Sequence, residues 1–192
     1  MMENNVYIFF CGNAGHNVFC RIKKEALPSI VKRTLFFNPS FGMYEPGYEE
    51  EAVQIGKETL KGGWAVFPWR GEMAAKESSD EIRNLLKGCN TLLLVGGLGG
   101  GFGSGVSPIF AKIARRMGIL VVAFFWTPFR FEGPRRAQRA AFYQQRLADI
   151  CDVCYFFDQS MIHERINFSN SFSLADELMV NGIKEFLAKI QE

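Results

Sequence analysis

Short apolar runs alternate with amphipathic segments along most of the chain. Five runs predict strands, and they are Val6–Phe10, Thr34–Phe37, Leu92–Val95, Ile119–Trp126 and Val153–Phe157. Helical spacing of apolar residues predicts helices from about 17 to before 28, at 80–87, 108–117 and 134–147, and at about 173–191. Because strands and helices take turns, we predict an α/β, Rossmann-like doubly wound fold, with a mainly parallel sheet and helices on both faces.

The last predicted helix carries a clear apolar stripe, which consists of Leu174, Leu178, Met179, Ile183, Phe186, Leu187 and Ile190. We expect this stripe to face the core. Phe172 and Val180 lie off its centre, so we expect them to form another surface, where a second copy or a partner docks. Residues 41–77 carry only a weak pattern. With no internal repeat and no linker, residues 1–192 are expected to form one domain.

The balance of charges limits the classes of partner. The chain has 22 basic and 20 acidic residues and a formal net charge of +2, so we expect no binding to nucleic acid. Its longest apolar run, Ile119–Trp126, is far too short to span a bilayer, so we expect no membrane insertion. The N-terminus lacks the positive charge of a signal peptide, which favours a cytoplasmic location.

Five cysteines, an odd number, indicate free thiols in a reducing compartment. Cys151 and Cys154 have C-x-x-C spacing. They fall in an apolar stretch that we predict to be extended, where positions three apart point to opposite faces, and this favours a structural over a redox role. His16 and His163 have no partners at metal-ligand spacing, so they predict no metal site.

A glycine-rich segment stands between a predicted strand and a predicted helix. Seven of the ten residues in Gly96–Gly105 are glycine. Ser107 is expected to cap the following helix, Pro108 to be its first residue and Gly118 to end it. A strand, a glycine loop and a helix N-terminus bring backbone N–H groups and a positive dipole end together, which predicts a phosphate site. No Gly-Lys-Ser/Thr sequence follows, which excludes a P-loop NTPase.

Other polar or glycine-rich segments also follow predicted strands. They are Gly12–Asn17, Asn38, Thr127–Gly133 and Asp158. In a doubly wound sheet, ligands bind where the carboxyl ends of the strands meet, so we expect these segments to surround one site. A dinucleotide-dependent oxidoreductase is disfavoured, because residues 12–17 do not form G-x-G-x-x-G and Asn38, not an acid, follows the second strand.

The glycine segment and the residues after it resemble the FtsZ/tubulin superfamily. Residues 97–105, Gly-Leu-Gly-Gly-Gly-Phe-Gly-Ser-Gly, resemble its signature Gly-x-Gly-Gly-Gly-Thr-Gly-Thr-Gly. Residues 128–133, Pro-Phe-Arg-Phe-Glu-Gly, together with Arg136, resemble the FtsZ pattern Pro-Phe-x-Phe-Glu-Gly-x-x-Arg. Gly12–Asn17 is similar to the family's first glycine loop. The likeness covers nearly the whole chain but only the nucleotide-binding half of an FtsZ, without its activation domain.

The resemblance implies a site for GTP or GDP and allows a magnesium ion there. The residues that it implies to face the phosphates are Gly12, Gly15, Gly99, Gly100, Gly101, Phe102, Gly103, Ser104 and Gly105. Glu132 is implied to bond the ribose hydroxyls, with Arg136 beside them. Asn17, Asp158 and Asn181 are implied to approach the base or the sugar. The resemblance also allows a homo-oligomer or an FtsZ-like partner.

Several departures from the family pattern lower the activity that we expect. Phe102 replaces a threonine near the phosphates, and Glu177 replaces an aromatic residue that stacks on guanine. The family's acid-bearing loop, which follows the last helix, is not within the 192 residues. We therefore expect nucleotide binding with weak or no self-contained GTP hydrolysis, and no catalytic residue in this chain. The alternative is a degenerate FtsZ-like protein that binds a partner or filament and has little affinity for nucleotide.

Overall fold

A parallel sheet forms the centre of the molecule. The structure is a computed structural model that describes residues 4–39, 47–158 and 168–191. Within these ranges the strands are β1 (Val6–Cys11), β2 (Val31–Asn38), β3 (Ala52–Gln54), β4 (Thr91–Gly97), β5 (Leu120–Thr127) and β6 (Val153–Asp158). Their order is β3-β2-β1-β4-β5-β6, and every neighbouring pair is parallel. The order reverses between β1 and β4, which is where open α/β sheets bind ligands.

Helices cover both faces of the sheet. They are α1 (Gly12–Ile22), α2 (Lys57–Leu60), α3 (Pro68–Glu77), α4 (Ser79–Leu85), α5 (Phe102–Arg116), α6 (Pro134–Ala148) and α7 (Phe168–Gln191), with short 3-10 helices at Glu49–Glu51 and Arg130–Glu132. Residues of α1 and α7 pack with Phe10 and Trp126 on one face. Residues of α3, α4, α5 and α6 pack with Phe9 and Leu94 on the other face. The doubly wound fold predicted from the sequence is therefore confirmed.

The central strands are apolar because both of their faces are covered. All six residues of β1 are buried, as are six of the seven residues of β4. Phenylalanines fill much of the core and pack ring to ring. The ring centroids of Phe9 and Phe37 are 4.7 Å apart, and those of Phe37 and Phe110 are 4.8 Å apart. This dense packing fixes the carboxyl ends of the central strands in space.

Three helices start earlier than the sequence pattern predicts, and one of them is α7, which begins at Phe168 rather than at about 173. Helix α1 begins at Gly12, more than a turn before the predicted start, and α5 begins at Phe102. Ser107 therefore caps no helix, and its hydroxyl donates to the carbonyl oxygen of Gly103 at 2.7 Å. Pro108 lies inside α5, where its ring removes one backbone hydrogen bond. Glycine and proline disfavour a helix in isolation, but packing of α5 against the sheet overrides that preference.

Helix α3 lies in the weakly patterned stretch, where the sequence predicts no element. It begins at Pro68, which suits a first helical position. Its contact with α5 is made by glycines: a Cβ at Gly71 would lie 3.0 Å from the carbonyl oxygen of Gly101, and one at Gly105 would lie 2.1 Å from that of Pro68. Because backbone meets backbone here, the contact leaves no periodic pattern of large apolar residues to recognise.

Helix α4 begins at Ser79, close to its predicted start, and neither Ser78 nor Ser79 caps it with its side chain. The hydroxyl of Ser78 accepts a hydrogen bond from the backbone N–H of Gly56 at 3.1 Å. The hydroxyl of Ser79 donates to the carbonyl oxygen of Lys76 at 2.6 Å. Both serines thus bind neighbouring segments rather than the start of α4.

The face of α7 that meets the core is rotated from the predicted one. Met179 and Ile183 are buried as predicted, whereas Leu178 is 43% exposed and Val180 is buried. Successive residues of a helix are separated by about 100°, so a rotation toward Val180 carries Leu178, on the opposite side of Met179, out of the core. In the described part of the chain, no helix is both long and apolar enough to cross a lipid bilayer.

Cys151 and Cys154 do not point to opposite faces, contrary to the sequence prediction. Both pack against the core on the α3–α6 side of the sheet. The prediction fails because Cys151 precedes β6, which begins at Val153, so strand alternation does not apply to it. A hydrogen bond between the two thiols, together with burial, raises the pKa of Cys151.

Candidate functional site

A cleft of about 360 Å³ opens at the carboxyl ends of the central strands. Its lining comes from the start of α1, the end of β2, the loop before α3, residues 97, 98 and 100–103 of the glycine segment, the end of β5 with Glu132 and Arg136 beyond it, and one face of α7. We call residues 12–14, 97, 98 and 100–103 the backbone wall, and Phe172 and Asp176 of α7 the side-chain wall. The cleft therefore lies at the switch point of the sheet, where the sequence predicts a site.

The backbone wall joins two helix N-termini. Helices α1 and α5 both begin at the cleft, and neither has an acidic residue in its first turn or a side-chain cap on its N–H groups. Gly12 has a φ of +69°, and a Cβ there would lie 3.3 Å from the backbone nitrogen of Gly103, so glycine lets the two helix starts approach. Uncapped N–H groups and two positive dipole ends make this wall suited to an anion.

The structure places five of the expected phosphate-facing residues in the cleft lining. They are Gly12, Gly100, Gly101, Phe102 and Gly103. The other four, Gly15, Gly99, Ser104 and Gly105, are not part of that lining. Gly15 lets α1 approach β4, since a Cβ there would lie 2.9 Å from the carbonyl oxygen of Val95. The backbone N–H of Gly99 donates to the buried Ser104 hydroxyl at 2.9 Å. Gly105 packs on α3.

Neighbouring glycines of the backbone wall differ in the space around them. A Cβ at Gly101 would lie 1.6 Å from the carbonyl oxygen of Ala65, in the loop before α3. A Cβ at Gly100 would have a guanidinium nitrogen of Arg136 as its nearest neighbour, at 3.7 Å. Gly101 is therefore required by packing, whereas Gly100, which lines the cleft, has room for a side chain.

Glu132 and Arg136 both line the cleft, as the sequence predicts. One carboxylate oxygen of Glu132 accepts a hydrogen bond from the backbone N–H of Phe129 at 2.8 Å. The other pairs with the Arg136 guanidinium at 2.7 Å, one helical turn away. These two bonds fix the Glu132 carboxylate, while the half-exposed Arg136 keeps further N–H donors for a ligand.

The three residues expected near the base or the sugar are not brought together. Asn17 lines the cleft. Asp158 is exposed at the end of β6, where its carboxylate accepts a hydrogen bond from the Thr127 hydroxyl at 3.5 Å. Asn181 is exposed on α7, as is Glu177, and neither lines the cleft. The rotation of α7 described above turns a different face of this helix to the site.

The side-chain wall, which consists of Phe172 and Asp176 of α7, faces the cleft and was not predicted from the sequence. They are four residues apart, which puts them on one face of α7. The Phe172 ring is held edge-on by Phe129, at a centroid distance of 5.0 Å. Phe131 stacks on Phe129 in turn, at 4.8 Å. The available signal was an aromatic and an acidic residue at helical spacing near the start of the last helix.

Asp176 is a buried acid with incomplete compensation. Asp176 is 8% exposed, and among the described residues its cationic partner is Arg21, whose Nε lies 3.7 Å from a carboxylate oxygen. Arg21 also donates a hydrogen bond of 2.7 Å to the Ser173 hydroxyl. Burial raises the pKa of Asp176 to about 6, and Arg21 offsets only part of this effect. A buried acid in a cleft with a shifted pKa is typical of a functional site.

Two buried polar atoms of the cleft lack hydrogen-bond partners within the described residues: Asn38 Oδ1 and Trp126 Nε1. Both residues line the cleft, and no other buried side-chain nitrogen or oxygen in the described ranges is unpartnered. Leaving such an atom without a bond costs about 1–3 kcal/mol. The residues present therefore fit a ligand that carries both hydrogen-bond donors and acceptors.

The sequence matches the family model of the Tubulin/FtsZ family, GTPase domain, over residues 5–167. The chain belongs to this family. Cell division protein FtsZ 1 of Pyrococcus furiosus is 38% identical to it over 187 residues, which are 95% of this chain and 50% of that protein. This FtsZ-family chain thus spans about half the length of the curated relatives it matches.

Solved structures of FtsZ-family proteins share the fold. The empty FtsZ dimer of M. jannaschii superimposes with a TM-score of 0.88 at 29% identity, over 97% of this chain and 55% of that one. The GDP-bound CetZ1 monomer of Haloferax volcanii gives a TM-score of 0.79 at 25% identity, over 92% and 58% of the two chains. The resemblance read from the glycine segment is therefore confirmed at the level of family and fold.

Proposed function

We propose that the cleft binds a guanine nucleotide, GTP or GDP, with its phosphates on the backbone wall. The observation that carries this proposal is the convergence of two uncapped helix N-termini without any acidic residue in their first turns. Such an arrangement attracts a phosphate chain through N–H groups and dipole ends. The GDP bound to CetZ1, a structure of the same fold and 25% identity, adds support.

The side-chain wall would select the base. Guanine carries two neighbouring donors, N1–H and the 2-amino group, and one carboxylate can accept from both. Asp176 supplies that carboxylate, and the ring of Phe172 on the same helix face supplies a surface for stacking. Adenine has no donor at N1 and no 2-amino group, so it would give the buried Asp176 carboxylate no hydrogen bond beyond its pairing with Arg21.

The rim of the cleft would hold the sugar. The Glu132 carboxylate is fixed by Phe129 and Arg136, and its remaining lone pairs can accept from ribose hydroxyls. Arg136 lies beside Gly100, where its free N–H groups would add to the charge that faces the phosphates.

The described cleft offers no carboxylate free to orient an attacking water. Within its lining the carboxylates are Glu132, which is paired with Arg136, and Asp176, which we assign to the base. Phosphoryl transfer depends on such positioning, so we propose binding with weak or no self-contained hydrolysis. A magnesium ion keeps several water and phosphate ligands, and Asn38 Oδ1, which has no partner within the described residues, would accept a hydrogen bond from one of its waters.

Calorimetric titration with GDP, GTP and ADP tests this function directly. We expect GDP and GTP to bind and ADP to bind at least about 100-fold more weakly, which corresponds to about 2.7 kcal/mol. Gly100→Asp places a negative charge at the backbone wall where there is room for it, so it should abolish binding while the protein still unfolds cooperatively.

Asn84→Asp is the matched control, since it adds the same charge on the exposed surface of α4, outside the cleft. It should bind GDP as the unaltered chain does. Equal affinity for ADP and GDP, or no binding of any nucleotide, would overturn the proposal.

A second candidate function rests on an exposed apolar segment beside the cleft. Trp64, Val66, Phe67, Trp69 and Met73 are all exposed within ten residues, and a dense apolar patch of this kind marks a protein contact. We expect the chain to associate with a second copy at tens of micromolar, and Trp69→Glu to remain monomeric in sedimentation velocity. A monomer in both samples removes this candidate.

A further inference from the structure

We propose that Trp126 is a ligand-binding residue, whose indole N–H donates a hydrogen bond to an oxygen in the sugar–phosphate part of the nucleotide. This inference rests on the proposed function, because it requires a nucleotide in the cleft. It concerns a side chain that neither the glycine motifs nor the polar residues of the rim point to.

Trp126 is buried in the floor of the cleft. It is the second-last residue of β5 and is 4% exposed. Its ring packs against Phe157 at a centroid distance of 5.0 Å and belongs to the same core cluster as Ala175 and Met179 of α7. Its carbonyl oxygen accepts the backbone N–H of Leu98 at 2.8 Å. The ring and the carbonyl oxygen of Trp126 thus have partners, whereas its indole nitrogen has none within the described residues.

The indole nitrogen has a single chemical use. It is a donor and cannot accept a hydrogen bond, and within the described residues it has no acceptor. The other unpartnered atom, Asn38 Oδ1, is an acceptor but lies on β2, three strands away in the sheet order. At about 4.8 Å between strands this is roughly 14 Å. The two atoms therefore cannot satisfy each other.

Register places Trp126 beside the proposed path of the phosphates. Trp126 pairs with Gly97 of the backbone wall, so one strand spacing, about 4.8 Å, separates it from that wall. The next residues along the chain, Thr127 and Pro128, lead to the rim where Glu132 is assigned to the sugar. An acceptor oxygen between phosphate and sugar would therefore come nearest to the indole.

Bond formation requires a local adjustment. The nitrogen is covered in the structure, so the indole, or a side chain that covers it, has to move when the ligand enters. The N–H resonance of Trp126 should report this movement and the new hydrogen bond together.

Nuclear magnetic resonance of indole-¹⁵N-labelled protein measures the bond directly. The chain has three tryptophans, and Trp64→Phe, Trp69→Phe and Trp126→Phe assign their N–H peaks. We expect saturating GDP to move the Trp126 peak downfield and to slow its exchange with D₂O. The peak of Trp69, which is exposed and outside the cleft lining, should move much less than that of Trp126.

Calorimetry of Trp126→Phe measures the contribution of the bond to affinity. This variant keeps an aromatic ring and removes the donor, so GDP should bind about tenfold more weakly, or about 1.4 kcal/mol. Trp69→Phe, the same change outside the cleft, should bind GDP normally. The unaltered chain and Trp126→Phe are then titrated with 2′-deoxy-GDP. If the two proteins bind this nucleotide equally well, the acceptor is the 2′ hydroxyl. If Trp126→Phe still binds it more weakly, the acceptor is on the phosphates or is one of the remaining sugar oxygens.

The outcomes separate this inference from the proposed function. If the unaltered chain binds GDP, but the Trp126 peak stays in place and Trp126→Phe binds within twofold of it, Trp126 is only a core residue. If the unaltered chain binds no guanine nucleotide, the proposed function itself has failed.

Discussion

The two walls of the cleft are built from different parts of the polypeptide. The backbone wall uses N–H groups at the starts of α1 and α5, and more than half of its residues are glycine. The side-chain wall uses one ring and one carboxylate, Phe172 and Asp176, on a single face of α7. The first wall needs glycine at fixed positions, so a dense run of glycines in the sequence indicates it. The second needs only the correct rotation of α7 about its axis, and the sequence carries little indication of that rotation.

The difference separates stability from binding. A side chain at Gly101 would alter the packing of α5 against the loop before α3, whereas a change in the side-chain wall leaves a helix on the sheet with its core face intact. We therefore expect substitutions at Gly101 to act mainly on folding and those in the side-chain wall to act mainly on the ligand.

Gly101→Ala should show the largest effect. Its Cβ would meet the carbonyl oxygen of Ala65 at 1.6 Å, so backbone must shift, and we expect a loss of about 3 kcal/mol in the free energy of unfolding in urea. Gly100→Ala is the matched control, because its Cβ meets no atom closer than 3.7 Å, and its stability should change by less than about 0.5 kcal/mol. Similar stabilities for the two variants would break the distinction between these glycines.

Asp176→Asn should weaken GDP binding by about 30-fold, or about 2 kcal/mol, because an amide presents a donor where guanine also presents donors. The same substitution should weaken the binding of inosine diphosphate, which lacks the 2-amino group, by a smaller factor. Calorimetry with both nucleotides gives the ratio of affinities. A variant that keeps the ratio of the unaltered chain would show that Asp176 does not read the base.

Phe172→Ala should weaken the binding of GDP and inosine diphosphate alike, by about tenfold, because stacking does not depend on the edge of the base. Phe142→Ala, at an exposed phenylalanine of α6, is the control and should bind normally. If Phe172→Ala changes only the preference between the two nucleotides, the ring does not act as a stacking surface.

Mild acid should produce the smallest effect. The carboxylate form of Asp176 accepts the donors of guanine, so the affinity for GDP should fall severalfold as the pH is lowered through the pKa of about 6. The stability of the unliganded protein should change in the opposite direction and be higher in mild acid. Because burial raises this pKa above its ordinary value of 3.8, the folded state holds the proton more tightly than the unfolded state.

The free energy of unfolding of the unliganded chain should therefore decline as the pH rises from about 4 to about 6. Urea titrations across this interval measure the decline, and Asp176→Asn should remove the part that this carboxyl contributes. If Asp176→Asn shows a decline as large as that of the unaltered chain, groups other than Asp176 cause the decline.

The sequence predicts the backbone wall and the sheet well because both depend on local patterns. Apolar runs such as Ile119–Trp126 mark buried strands, and seven glycines in Gly96–Gly105 mark a close approach of backbone. The exact helix starts were wrong, since α5 begins at Phe102 within the glycines. Tertiary packing decides that boundary, and propensity alone cannot supply it.

The side-chain wall could not be predicted in the same way. Whether Phe172 and Asp176 or Glu177 and Asn181 face the cleft depends on a rotation of α7 of about 100°, the angle between neighbouring residues. Burial of Val180 and exposure of Leu178 fix that rotation, and both follow from contacts with α1 and the sheet. Helix α3 escaped prediction for a related reason, since its contact with α5 is made by glycines.

The contact between Gly101 and the loop before α3 has a mechanical consequence. No side chain separates the backbone of Gly101 from that of Ala65 and Val66, so this junction has no slack. A displacement of Gly101 by an incoming phosphate would therefore displace Ala65 and, through the chain, the exposed Val66 and Phe67. The position of these two apolar side chains on the outer surface would then depend on whether the cleft is occupied.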